Sequence, residues 1–151
     1  MKVPQKLPIM RMEDYHTHYL GQTKDGRLFW GYETFVFIKP QAEGHGEDSE
    51  QYRKEYALLH TFDKDGNYLR TSHTSIGAIG ITGGEQLNNY LEKMVNALGG
   101  IEFQDIEVKL FETIIDDITF GLIVDQKSKM ITLQPSSTIS FQEPWDGEYY
   151  T

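Results

Sequence analysis

The chain has 151 residues, of which 38% are apolar, 25% charged and 13% aromatic, a balance that fits one globular domain over residues 1–151 and argues against disorder. It has no cysteine, which removes disulfides, thiolate metal sites and cysteine nucleophiles. With 14 Lys and Arg against 23 Asp and Glu, the net charge of −9 argues against direct nucleic-acid binding and against attachment to an anionic membrane, and suits a basic partner protein.

Residues 1–8 carry Pro4 and Pro8 and read as an extended lead-in without the apolar stretch of a signal peptide. No segment approaches the ~20 apolar residues of a membrane span, so the expected setting is the cytoplasm. Tyr15 to Gln22 alternates aromatic, His and Thr residues as a strand does, and Lys24-Asp25-Gly26 supplies a turn. Phe29 to Ile38 is apolar on both faces, the pattern of a central strand covered on both sides. Pro40 ends it, and residues 40–51 form an exposed acidic loop. A second hairpin runs from Tyr56 to Phe62 and back from Tyr68 to Thr74, with Asp65-Gly66 as its turn signal.

The spacing predicts a helix over 82–98. Thr82 and Glu85 fit a capping box, and Leu87, Tyr90, Leu91, Met94, Val95 and Leu98 fall on one stripe. Gly99-Gly100 supplies the left-handed stop. Phe103 to Ile115 reads as a strand, Asp116-Asp117 as a turn and Ile118 to Val124 as its return, with short edge strands at Ile131–Leu133 and Ile139–Phe141. The fold class is α+β: a mostly antiparallel sheet built from hairpins, with one amphipathic helix packed on one face.

Several residue groups invite a chemical reading. On a strand, His16 and His18 share a face, and such a pair can hold one edge of a divalent metal site. His60, His73, Glu33 and Glu107 are the candidate third ligands, with His60 placed first. Polar histidines on a half-exposed strand give the same pattern without metal, so no cofactor is required by it. Asp63-Lys64-Asp65-Gly66-Asn67 resembles the start of a calcium loop, yet the sixth and twelfth positions hold Tyr68 and Thr74 where Gly and Glu are needed. The glycine-rich run Gly77 to Gly84 matches neither phosphate-binding fingerprint. Ser72-His73-Thr74-Ser75 sets hydroxyls beside an imidazole, but triads assemble in space and not along the chain. Trp145, Asp146, Glu148 and Tyr149 form an aromatic and acidic strip able either to recognise a partner or to dock on the parent domain.

Asp14-Tyr15-His16-Thr17-His18 with Gly21, Ala57-Leu58-Leu59-His60-Thr61-Phe62-Asp63 with Gly66, Asp105-Ile106-Glu107-Val108, Phe120-Gly121-Leu122 and Pro144-Trp145-Asp146-Gly147-Glu148-Tyr149 together resemble small bacterial proteins labelled formate hydrogenlyase regulatory protein. That resemblance runs from about residue 13 to the end and implies a role in regulating formate and hydrogen metabolism; it supplies no catalytic residues. The expected function is a non-enzymatic regulatory or binding protein acting through protein contact, of which a toxin-neutralising immunity protein is a variant. The alternatives are a metal-dependent enzyme or sensor using His16 and His18, and a small-molecule site between sheet and helix lined by aromatic side chains.

Overall fold

The computed structural model describes residues 3–12, 14, 16–37, 53–76, 84–135 and 139–151. The acidic loop at 40–51, the glycine-rich run 77–83 and the Thr82 cap lie outside them.

Hairpin chemistry sets the middle layer. Strands β2 (Tyr19–Thr23) and β3 (Leu28–Phe37) join through a turn in which Gly26 has φ +89°, and β4 (Arg53–Phe62) and β5 (Tyr68–Ile76) through one in which Gly66 has φ +87°. These conformations suit glycine, which carries no Cβ. The Asp63 carboxylate accepts the Asp65 and Asn67 amides at 2.9 Å, so it closes the turn and is not left open as a calcium ligand. Those bonds, led by the Asn67 side chain, hold Asp63 below the usual carboxylate range. With β6 (Ile101–Phe103), these strands form an antiparallel sheet in the order β5-β4-β3-β2-β6.

Because side chains alternate along a strand, this sheet presents two apolar faces. Phe29, Ala57 and Leu59 meet Leu87, Leu91 and Val95 of the helix α1 (Gly84–Asn96). Tyr90 falls outside the buried stripe; it is 38% exposed, with the Lys93 ammonium 6.0 Å from its ring centre. Past Asn96 the chain tightens through Leu98 N–H to Val95 O and Gly99 N–H to Asn96 O, and Gly99, at φ +89°, ends it as the sequence predicts.

On the other face, Trp30, Tyr32, Tyr56, Leu58 and Phe62 pack on a second antiparallel sheet. Its strands are β8 (Glu112–Ile115), β9 (Ile118–Asp125), β10 (Met130–Gln134) and β11 (Ser140–Phe141), in the order β11-β10-β9-β8. Asp116 and Asp117 both have positive φ, 55° and 65°, as a two-residue hairpin turn matching the strand twist requires. The layers are therefore helix, five-stranded sheet and four-stranded sheet, and β3 is covered on both sides.

The stretch Phe103 to Ile115 is not one strand. Its residues are shared among β6, β7 (Ile106–Val108), which pairs with β1 (Leu7–Ile9), and β8. Tertiary bonds break the run: Gln104 N–H donates to Leu20 O, and Lys109 N–H to Gly66 O. Among the described residues, no helix is long and apolar enough to cross a membrane.

Candidate functional site

The histidine pair is organised by Asp14. Its carboxylate accepts the amides of His16 at 2.9 Å and Thr17 at 3.3 Å, and this Asx-type turn replaces strand pairing before Tyr19. His16 and His18 thus sit in a turn, and the same-face argument for them does not hold. The His16 ring is buried, with Nδ1 3.5 Å from Asp14 Oδ1, and its carbonyl accepts the Trp30 indole N–H at 2.8 Å. His18 is exposed and lies against Tyr19 and Phe103, with Nδ1 3.4 Å from the Arg11 guanidinium. A guanidinium there opposes a second cation at the same nitrogen.

The candidate third ligands do not join them. His60 and His73 lie on β4 and β5, His60 buried and His73 exposed; Glu33 points to the helix face of β3, and Glu107 is exposed on β7. Among the described residues, no group of three or more His, Asp or Glu side chains is arranged to hold a metal ion.

The tail closes over the Asp14 turn. The Tyr149 hydroxyl donates to the Asp14 carboxylate at 2.8 Å and lies 2.7 Å from Thr17 Oγ1, which accepts the Met12 amide. Burial of Asp14 opposes its charge, but the Tyr149 hydroxyl, the two amides and nearby His16 prevail and hold its carboxyl below the ordinary range. Burial and the Asp14 carboxylate raise the Tyr149 phenol. Of the predicted strip, Tyr149 is buried in the core and Trp145 is half-buried against it. Asp146 and Glu148 face solvent, and Asp146 borders an open groove of about 360 Å³ beside Lys6, Lys64 and Asp105. Tyr149→Phe should cost about 1.5–3 kcal/mol, the range for a hydrogen bond to a charged group, with the structure retained; urea unfolding checks this.

A second polar group lies wholly inside. Tyr32 and His60 are buried between the sheets, with the Tyr32 hydroxyl 2.8 Å from His60 Nε2, His60 Nδ1 2.7 Å from Thr71 Oγ1 and that oxygen 2.6 Å from the Tyr68 hydroxyl. The proton count fixes the direction. Tyr32 is 1% exposed and His60 is its hydrogen-bond partner, so Tyr32 donates to Nε2 and Nδ1–H donates to Thr71. Thr71 Oγ1 and the Tyr68 hydroxyl share the next bond, which carries the network out to the half-exposed Tyr68. Burial drives the His60 pKa down to about 3, so the ring is neutral. Both ring nitrogens are occupied, which leaves neither for a ligand.

Strand β5 forms one margin of the middle sheet, and among the described residues its only strand neighbour is β4. It is nine residues long, has only half-exposed and exposed positions, has no proline and carries one formal charge, Arg70. Beside it, between sheet and helix, is a cavity of about 290 Å³. Its walls are Leu59, Met94, Ala97 and Leu98, with Thr61, Ser72, Arg27 and Arg70 at the polar side. The aromatic lining expected for a site between sheet and helix is absent from it: Phe29 is buried under the helix, Phe35 lies against Arg53 and Phe37 at the far end of β3, and Trp30, Tyr32, Tyr56 and Phe62 face the second sheet. Arg27 and Arg70 each follow a hairpin turn, but only the β3-β4-β5 register brings them together. Comparison with protein-family models, curated proteins and solved structures finds no match for the chain.

Proposed function

We propose that this is a non-catalytic cytoplasmic protein that acts by binding a partner protein, adding an extended segment of it to the outer edge of β5, which among the described residues pairs with β4 alone. The supporting observation is that edge: nine residues paired with β4 on one side, with no proline, no lysine and a single arginine. Natural sheets commonly blunt such edges with charge, proline or coverage, and exposed edges serve as templates for strand addition. The charge of −9 favours approach by a basic partner. The resemblance to formate hydrogenlyase regulatory proteins makes a component of that bacterial control system the first partner to test, reached through protein contact.

The test compares the parent with a His73→Lys/Ser75→Lys double variant, which puts two charges on exposed positions of β5. The parent should retain a partner from lysate of its native cells, with retention falling as salt rises, and the β5 amides should gain protection from hydrogen exchange in the complex. The variant should lose about tenfold in affinity. A partner held equally well by both proteins would refute the edge as the binding surface, and no partner at any salt would refute the reading altogether.

A further inference from the structure

We infer that the cavity between β4, β5 and the end of α1 is a binding site for a small aliphatic carboxylate. The chain is strongly acidic, yet the residues around this cavity include two arginines and no acid. They also divide by chemistry. Leu59, Met94, Ala97 and Leu98 supply an apolar wall, while Arg27, Arg70 and Ser72 bring donors to the opposite side, beside a Thr61 hydroxyl that donates to the Arg70 carbonyl. A ligand with an apolar body and one anionic end matches that division.

The register explains the convergence. Thr61 pairs with Arg70 and Leu59 with Ser72 across β4 and β5, and these four side chains share the face turned toward the helix. Arg27 extends from the turn before β3 on the same face. Its Nε–H lies 3.1 Å from both oxygens of the Asp25 carboxylate, which engages one of its five donors and offsets its charge. Arg70 is exposed and has no ion pair among the described residues, which makes it the principal anion donor. The nearby helix C-terminus places about half a negative charge at the site, which the full positive charge of Arg70 outweighs even with Arg27 paired to Asp25. Planar guanidinium donors fit a carboxylate in two-bond geometry. At about 290 Å³ the cavity falls at the small end of the ~300–1,000 Å³ range of ligand pockets, so the ligand is short.

The experiment titrates the full chain with hexanoate, followed by amide shifts in nuclear magnetic resonance, with hexanamide as the uncharged control. Hexanoate at millimolar concentration should move the amides of Leu59, Thr61, Ser72 and Leu98, with hexanamide about tenfold weaker. Arg70→Gln should weaken hexanoate about tenfold and leave hexanamide unchanged; Arg70 is on the surface, and an unchanged unfolding midpoint verifies the fold. Equal affinity for acid and amide, an Arg70→Gln variant that binds like the parent, or no movement of these amides would each overturn the assignment. None of these outcomes depends on a partner at the β5 edge.

Discussion

Between about pH 6.5 and about pH 4.5 the protein should lose on the order of 2–3 kcal/mol of stability, and a His60→Leu variant should not show that loss. The sign follows from linkage. Burial holds the folded-state pKa of His60 near 3, against 6.5 in an open chain. Through that interval the unfolded chain binds a proton that the folded chain refuses, so acid favours unfolding. The contribution is fully present above pH 6.5 and is lost progressively as pH falls toward 3. Asp14, Asp63, Asp116 and Asp125 are held below their ordinary value of 3.8, so their stabilisation is lost at lower pH; Glu33, which burial and Glu55 hold above its ordinary 4.5, takes up its proton more readily when folded and offsets part of the His60 loss in both parent and variant. At neutral pH, His60→Leu should cost about 1–3 kcal/mol, because the buried Tyr32 hydroxyl loses its acceptor. Urea unfolding at three pH values measures both effects. A parent whose stability is flat across the window, or a variant with the same slope, would show that His60 is not the titrating group.

Gly121→Ala should destabilise the protein by about 3–5 kcal/mol, far more than Gly99→Ala. Gly121 sits in β9 at φ +142°, paired with Glu112 on one side and Gln134 on the other. A Cβ there would lie 2.1 Å from the Phe111 carbonyl oxygen, the atom that accepts the Leu122 amide at 2.9 Å. Relief would require the start of β8 to move away, and Phe111 with it, out of its ring contacts with His60, Phe62 and Tyr68. Gly99 also has positive φ, but nothing lies within 4 Å of a Cβ built on it. Its alanine variant should lose only about 1 kcal/mol from backbone strain. Thermal unfolding of the two variants side by side separates steric overlap from strain; equal midpoints would contradict the close approach at Gly121.

The hairpins were legible in the sequence because their determinants are local. Asp25-Gly26, Asp65-Gly66 and Asp116-Asp117 each sit where a turn needs positive φ, and the double-sided apolar run of β3 announced cover on both faces. What failed was set by distant partners. The alternation of Ile106, Val108 and Leu110 is compatible with any strand, and only bonds to Leu20, Gly66 and Arg11 divide the run among three sheets. At His16 the alternating pattern was real, but one carboxylate two residues earlier captured the amides a strand would have used. The sequence marks His60 as an imidazole; that its two nitrogens are bound by Tyr32 and Thr71 depends on strand register. The Arg27 and Arg70 pair carries no local signal, since its members lie 43 positions apart in the chain.

The division of residues 101–115 among three sheets has a consequence for how the molecule comes apart. Within fifteen residues the backbone leaves the middle sheet at β6, pairs with β1 at β7 and opens the outer sheet at β8. Neither large sheet can then peel away while the other stays intact, because this short thread is sewn into both. The slowest-exchanging amides of β3 and those of β9 should share one opening free energy, equal to that of global unfolding, with no sub-global step between them. Such a topology also postpones reward during folding: Trp30 and Tyr32 remain wet until segments some 80 residues away return to cover them, which places the chain among slow folders of high contact order.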